Sequence, residues 1–144
     1  MGARAQDSGV TGPPCPCGSG ATYRECCGPF LRGESAAPTA EALMRSRYTA
    51  YVRRDARYLL STWNPSTRPA ALDLDDAVWL ELEVKSVSAG GEGDASGTVS
   101  FVARYQGADG VVAVIEETSR FVREPVGWQY VDGDLGPAAS RQRP

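Results

Sequence analysis

Four cysteines crowded into thirteen residues constrain this chain more than any other feature of its sequence. They lie in the segment CPCGSGATYRECC, and they are Cys15, Cys17, Cys26 and Cys27. Four thiolates at this spacing meet the preference of Zn²⁺ for a tetrahedral, sulfur-rich site. Gly18 and Gly20 allow the tight turn that would wrap the backbone around the ion. Because the segment has too few apolar residues for a core of its own, the metal would fold it.

Three other states of such a cluster are compatible with the sequence. Two disulfides would need an oxidising compartment, of which the sequence carries no sign. A redox site is expected to use the spacing Cys-x-x-Cys, which differs from the spacing here, and unliganded thiols would have to be clustered by chance. We therefore predict a structural zinc site. With four thiolates bound, no coordination position stays open for a substrate, so the site is not predicted to be catalytic.

Composition limits the chemistry that the rest of the chain can perform. The sequence has no histidine, which excludes Ser-His-Asp and Cys-His nucleophile systems and every histidine-ligated metal site. The net charge of -3 argues against a nucleic acid as the main partner, because binding phosphates usually needs an excess of basic residues. No apolar run approaches the roughly 20 residues of a membrane-spanning helix, and the polar segment Met1–Gly12 does not resemble a secretory signal. We therefore expect a cytoplasmic protein with no membrane insertion.

After residue 38 the sequence changes from a loop-like composition to regular patterns. Thr39 is placed to cap a helix, and residues then recur at the spacing of one helical face. That face consists of Ala40, Leu43, Met44, Arg47, Tyr48, Tyr51 and Val52. A second, short helix is predicted over Ala56–Trp63, because Asn64-Pro65 ends it. A further turn is predicted within Leu72–Ala77.

Alternating segments joined by glycine-rich turns predict four consecutive strands in the second half of the chain. In the first strand Leu80, Leu82 and Val84 are predicted to share one face, with Trp79 on the opposite face. The later strands are predicted around residues 99–105, 111–123 and 128–132. Helices followed by strands with short connections predict an α+β fold with an antiparallel sheet.

Two parts of the sequence resemble known families. The segment Cys15–Gly28, CPCGSGATYRECCG, resembles the SEC-C motif, a short zinc-binding segment named from the carboxyl terminus of the SecA translocation ATPase. The segments Ala42–Trp63, ALMRSRYTAYVRRDARYLLSTW, and Glu116–Gly133, EETSRFVREPVGWQYVDG, together resemble the YchJ family of bacterial proteins.

The resemblance implies a zinc knuckle followed by a nuclear-transport-factor-2-like, or cystatin-like, cone in which helices pack on a curved antiparallel sheet. The implied zinc ligands are the same four cysteines. The resemblance and the composition of the two ends together divide the chain into four parts. These are a disordered tail at 1–14, a SEC-C-like motif at 15–33, the α+β domain at 34–135 and a frayed tail at 136–144. The second SEC-C motif that some members carry is not expected, since no cysteine follows Cys27. The resemblance names no reaction.

A curved sheet wrapped around helices leaves a concavity, and concavities are where ligand sites are usually found. Alternation along the third strand places Glu117 and Ser119 on an otherwise apolar face, and Arg47 shares the helical face with Tyr48 and Tyr51. A buried, bidentate ion pair between Arg47 and Glu117 would explain both charged residues. Alternatively, Arg47 reaches out to solvent and a bulge turns Glu117 outward, or the pair is purely structural. These five residues are the predicted ligand pocket, with Glu117 as the candidate acid or base.

The sequence leaves two functions open. In the first, the protein is a non-catalytic adaptor whose zinc knuckle docks on a protein partner, with Arg24 and Glu25 expected to be exposed. Analogy with SecA makes the protein-export or ribosome-associated machinery a candidate partner. In the second, the cone binds or converts a small molecule through Glu117, and fold alone does not choose between the two. A homodimer formed through the sheets is compatible with either function.

Overall fold

The computed structural model of the chain describes residues 12–136. Most of the two tails predicted at 1–14 and 136–144 therefore lies outside the described residues. The division of the chain into these parts stays a prediction, and the described residues at the inner ends of the two ranges make backbone contacts. Pro14 forms a β-bridge with Thr22, and the N–H of Gly136 donates to the carbonyl of Glu116 at 2.7 Å. Both ends of the described chain thus join the folded structure through backbone pairing.

Helices occupy the first half of the described chain and strands the second half. A 3₁₀ turn at Tyr23–Glu25 and the short helix α1 (Gly28–Leu31) complete the cysteine segment. The remaining elements are α2 (Ala40–Arg53), α3 (Ala56–Ser61), β1 (Val78–Ala89), β2 (Ser96–Gln106), β3 (Val112–Glu124) and β4 (Gly127–Leu135). This order confirms the predicted α+β class.

Local side chains set the limits of the two helices that carry the candidate pocket. Thr39 Oγ1 accepts a hydrogen bond from the N–H of Ala42 at 3.0 Å, which is the predicted N-cap of α2. Arg54 has φ 59°, the left-handed conformation that ends this helix. Asp55 then caps α3 by accepting from the N–H of Tyr58 at 3.0 Å. The two helices are therefore joined by a connection of two residues, Arg54 and Asp55.

Two predictions about this half of the chain were wrong in detail. Helix α3 ends at Ser61, not at Trp63, because Trp63 instead pairs its backbone with Tyr130 of β4 in an isolated parallel bridge. Residues 72–77 form no helical turn; they lead directly into β1.

The four strands pair in chain order, each antiparallel to the next. Leu82 and Val84 share the inner face of β1 as predicted, but a bulge overturns the prediction for Trp79 and Leu80. Trp79 is opposite Tyr105 and Glu81 is opposite Arg104, so Leu80 is an extra residue. Trp79 therefore faces the interior, with its ring centroid 5.0 Å from that of Tyr105, while Leu80 is 49% exposed.

Helix α2 packs on one face of the sheet, against β1, β2 and β4. The core between these layers consists of Leu43, Met44 and Tyr48 from the helix and Val99, Ala103, Phe121 and Trp128 from the sheet. Burying each of the larger side chains stabilises the fold by about 1.5–3 kcal/mol. Cys15, Cys17 and Cys27 belong to the same buried cluster, so the cysteine segment is continuous with the core. Among residues 12–136, no helix has the length and apolar character needed to span a membrane.

Candidate metal centre and ligand pocket

The four cysteines of the knuckle, residues 15–33, converge in the structure. Their Sγ atoms all lie within 4.8 Å of one another, and the Sγ atoms of Cys17 and Cys26 are 3.7 Å apart. A tetrahedral Zn²⁺ site with Zn–S bonds of about 2.3 Å has sulfur–sulfur edges of about 3.8 Å. All four cysteines are free thiols. The quartet can therefore hold one metal ion after only a small contraction.

Backbone hydrogen bonds bring the two halves of the quartet together. The N–H of Cys15 donates to the carbonyl of Ala21 at 2.8 Å, which closes a loop. That loop contains Gly18 at φ 82° and Gly20 at φ 94°, a conformation that strains residues with a side chain. The 3₁₀ turn, capped by the hydroxyl of Thr22, then carries the chain to the second pair of cysteines. The glycines of the predicted tight turn are thus needed where they occur.

Side-chain hydroxyls surround the sulfurs. Thr49 of α2 is fully buried, donates its hydroxyl to Cys27 Sγ at 3.3 Å and has Oγ1 3.7 Å from Cys15 Sγ. Ser19 Oγ lies 3.1 Å from Cys26 Sγ. Such hydrogen bonds spread the negative charge of thiolates and tune their affinity for a metal. The centre is therefore built from the knuckle and from α2 together.

Helix α2 also holds the knuckle by contacts away from the sulfurs. Arg45 Nη1 donates to the carbonyl of Cys17 at 2.8 Å, and the guanidinium of Arg53 lies 4.2 Å from the ring centroid of Tyr23. The sequence analysis missed these residues and Thr49. A hydroxyl or basic residue inside a helix is the only signal they carry, and it indicates nothing about cysteines more than twenty positions away.

Protons compete with a metal for these sulfurs. Burial raises the pKa of Cys26 to about 11. The pKa of Cys15 is lowered because its sulfur accepts hydrogen bonds from Cys17 and Cys27, and the pKa of Cys27 is raised because its thiol donates to Cys15. The cluster thus stabilises one thiolate with neighbouring thiols, whereas four adjacent thiolates need a cation between them. Metal binding at this site would release protons.

A second feature, a cavity of about 280 Å³, lies between α2 and the sheet. The five predicted pocket residues all line it: Arg47, Tyr48, Tyr51, Glu117 and Ser119. Most of the remaining wall is aromatic and comes from Trp63, Trp79, Phe101, Phe121 and Tyr130. Trp79 was predicted to lie on the face opposite Leu82 and Val84, and the bulge in β1 is what turns it inward. That the cavity serves as a ligand site stays a prediction.

Arg47 is buried in the wall of this cavity and does not reach solvent, with 6% of its surface exposed. Its Nη1 donates to the carbonyl of Leu59 at 2.8 Å and to Thr62 Oγ1 at 2.7 Å. The guanidinium carbon lies 4.6 Å from the ring centroid of Tyr130 and 5.1 Å from that of Trp63, close enough for cation–π attraction. Burial lowers the pKa of Arg47. Helix α3 and two aromatic rings therefore hold the cation in place.

The ion pair between Arg47 and Glu117, one of the alternatives that the sequence left open, does not form: among the ion pairs of residues 12–136, none joins these two side chains. Glu117 Oε2 instead accepts hydrogen bonds from Ser119 Oγ at 2.8 Å and from the hydroxyl of Tyr130 at 3.3 Å. The pairing of β3 with β2 runs without a shift through Glu117, so no bulge turns this residue outward. A Cβ at Gly133 would collide with the Glu117 carboxylate, so the glycine makes room for it.

Comparison with known proteins finds matches along most of the chain. The model of the middle, NTF2-like domain of YchJ matches residues 39–133, and the SEC-C motif matches residues 14–29. A UPF0225 protein of Streptomyces coelicolor is 51% identical over 124 residues, which cover 85% of this chain and 96% of that protein. A UPF0225 protein of Cupriavidus pinatubonensis is 50% identical over 138 residues, which cover 91% of this chain and 94% of that protein.

Two solved structures share the fold. The solution structure of a SEC-C motif containing protein from Rhodopseudomonas palustris has a TM-score of 0.75 and 37% sequence identity, and the match covers 85% of this chain and 98% of that one. The crystal structure of a SEC-C motif containing protein from Psychrobacter arcticus has a TM-score of 0.68 and 26% identity, covering 90% and 86%. The matches confirm the arrangement of a SEC-C segment and an NTF2-like domain that the resemblance implied.

Proposed function

This chain belongs to the YchJ family, whose curated relatives carry the name UPF0225, and we propose that it is a zinc-binding adaptor. In this proposal the four cysteines bind one structural Zn²⁺, and the knuckle docks on a protein partner without catalysing a reaction. The observation that supports the metal is the set of four Sγ atoms within 4.8 Å of one another. Such a site needs reduced thiols, which favours the cytoplasm as its location.

The outer surface of the knuckle is available for a partner. Arg24 and Glu25 are exposed between the two pairs of cysteines. Arg32 and Glu34 are also exposed, and two hydrogen bonds of 2.7 and 3.1 Å join them. Neighbouring charges of both signs give a docking surface its orientation, since a partner must match each of them. A metal that fixes the knuckle lowers the entropy lost on docking.

Elemental analysis of protein purified under reducing conditions tests the metal. We expect about one Zn²⁺ per chain, and loss of stoichiometric metal in Cys26→Ser, because three thiolates leave the tetrahedron open. Reduced protein that contains no metal and takes up none when Zn²⁺ is added would refute the site.

Docking is tested with an exchange of charges that leaves the net charge unchanged. Arg24→Glu combined with Glu25→Arg alters the exposed surface of the knuckle. Glu83→Lys combined with Lys85→Glu is the matched control, an exposed pair on β1. After cross-linking in cells and mass spectrometry, partners should be lost in the first variant and kept in the second, with metal content unchanged in both. Retention of every partner by the first variant contradicts the adaptor role.

The cavity supports a second candidate function, the binding or conversion of a small molecule with Glu117 as acid or base. The observation in its favour is a buried arginine and a carboxylate that line one cavity without forming an ion pair. Native mass spectrometry of wild type and Glu117→Gln tests it. A small molecule bound to wild type and lost in the variant, with an unchanged melting temperature, supports this function. A lower melting temperature as the sole difference refutes it.

A further inference from the structure

Arg47 and Glu117 line the cavity, and each has hydrogen-bonding atoms without a partner among residues 12–136; these atoms indicate what the cavity can bind. We infer that the cavity accepts a small, uncharged, ring-sized molecule that carries a hydrogen-bond donor beside an acceptor, as in an aromatic amide or a lactam. This inference rests on the second proposed function, binding in the cone.

The size and lining of the cavity limit the body of the ligand. A volume of about 280 Å³ is at the low end of the range for ligand sites, so the occupant is about the size of one or two rings. Trp79, Tyr51 and Phe101 line it and offer flat apolar surfaces to such a body. Long or highly hydrated molecules do not match this space.

Arg47 supplies donors for an acceptor on the ligand. Its Nη1 is occupied by Leu59 and Thr62, whereas Nε and Nη2 have no hydrogen-bond partner among residues 12–136. The indole Nε1 of Trp63 is also unpartnered within the described chain, but it is closed even to water and is therefore not offered to a ligand. Hydrogen bonds to a charged group are stronger than those between neutral groups, so these two nitrogens of Arg47 stabilise an oxygen acceptor that enters the cavity.

Glu117 supplies the acceptor for a donor on the ligand. Both of its hydrogen bonds, from Ser119 and Tyr130, go to Oε2. They fix the orientation of the carboxylate and leave Oε1 without a partner in the part of the chain that the structure describes. An N–H or O–H of the ligand can therefore bind Oε1 while the ligand's oxygen binds Arg47.

The opposite charges of Arg47 and Glu117 favour an uncharged ligand over an anion or a cation. Arg47 and Glu117 together carry no net charge, and they are not paired with each other. An anion that approaches Arg47 is repelled by Glu117, and a cation that approaches Glu117 is repelled by Arg47; both also lose hydration in an apolar space. An amide presents its carbonyl and N–H on one planar group, so it can bridge the two side chains without this cost.

Four benzene derivatives of similar size test the inference on the full chain. Benzamide carries a donor and an acceptor, benzoate an anion, benzylammonium a cation, and toluene no hydrogen-bonding group. Weak binding is expected of molecules of this size, so each is titrated to about 20 mM while ¹H–¹⁵N spectra are recorded. The indole N–H signals of Trp63 and Trp79 report on the cavity. Benzamide should shift them saturably, with an affinity about tenfold above those of the other three.

Variants separate the two hydrogen-bonding sides. Glu117→Gln should weaken benzamide by about tenfold, since an acceptor with a full charge is lost. Gly133→Ala keeps every charge but displaces the Glu117 carboxylate, and it should weaken benzamide similarly. Glu83→Gln, an exposed carboxylate on β1, is the matched control and should change nothing.

Two results overturn the inference, and they differ in what they say of the proposed function. If toluene or either ion binds as tightly as benzamide, the cavity binds small molecules but the chemical class is wrong. If none of the four probes shifts the signals of Trp63 and Trp79, binding in the cone is refuted as well.

Discussion

Replacing Thr49 by valine tests how closely α2 is tied to the metal centre. Thr49 is fully buried, and valine has nearly its shape, so the substitution removes the hydroxyl without opening a cavity. The lost contact is the 3.3 Å hydrogen bond from Thr49 Oγ1 to Cys27 Sγ, beside the 3.7 Å contact with Cys15 Sγ. Because the cysteines themselves are unchanged, any loss of affinity comes from the helix.

The expected magnitude follows from the charge of the acceptor. A hydrogen bond to a charged group stabilises by about 1.5–3 kcal/mol. A tenfold change in affinity corresponds to about 1.4 kcal/mol. The loss of this hydrogen bond therefore agrees with the roughly 10–100-fold loss of metal affinity that follows when a hydrogen-bond partner of a metal ligand is removed. We expect Thr49→Val to raise the Kd for Zn²⁺ about tenfold or more. Thr49→Ser keeps a hydroxyl and should restore most of the affinity.

Competition against a chromophoric chelator measures these affinities, with far-UV circular dichroism to check the fold. Thr118→Val is the matched control, because the Thr118 hydroxyl contacts Ser100 on the sheet at 2.7 Å and takes no part in the knuckle. The reasoning fails if folded Thr49→Val binds Zn²⁺ within about twofold of wild type. It also fails if Thr118→Val weakens binding as much.

Three further predictions concern stability. Removal of bound Zn²⁺ by a chelator should lower the Tm of the whole chain, and the chain should still melt in one transition, because the cysteines share a core with α2. A tryptophan fluorescence scan in which the knuckle melts separately would contradict this. Trp79→Ala should lower the free energy of unfolding in urea by about 3 kcal/mol and Leu80→Ala by about 0.5 kcal/mol, whereas equal losses would contradict the bulge. Hydrogen bonds from Arg120 lower the pKa of Asp134, so this carboxylate stabilises the native state above its unfolded pKa, and the effect is lost as the pH falls through the folded value. The urea midpoints of wild type and Asp134→Asn should therefore differ at about pH 7 and converge at about pH 2; a constant difference would refute the assignment.

Features whose partners lie close in the chain could be predicted from the sequence. The cysteine quartet depends on the spacing of four residues and two glycines, and the structure brings the sulfurs together. The start of α2 depends on Thr39 and the N–H three residues later. Alternation along β3 was enough to predict that Glu117 and Ser119 share one face, because side chains of a regular strand point to opposite sides in turn.

Features that join distant residues could not be predicted in this way. Regular alternation fails at Leu80, since a bulge adds one residue and reverses the faces on one side of it. An ion pair was one alternative for Arg47 and Glu117, because each is a charged residue on an otherwise apolar face. In the structure the end of α3 supplies a carbonyl and a hydroxyl to Arg47, and the hydroxyls of Ser119 and Tyr130 satisfy Glu117.

The sequence by itself determined which four cysteines come together, the order of helices and strands, and the face of β3 that carries Glu117 and Ser119. These depend on backbone geometry over a few residues, which periodicity and spacing record. Only the tertiary structure decided that Thr49 meets the sulfurs and that Arg47 and Glu117 face one cavity without pairing. Those contacts depend on how α2 packs against the knuckle and the sheet. The spacing of residues along one element does not predict the angle at which it packs against another.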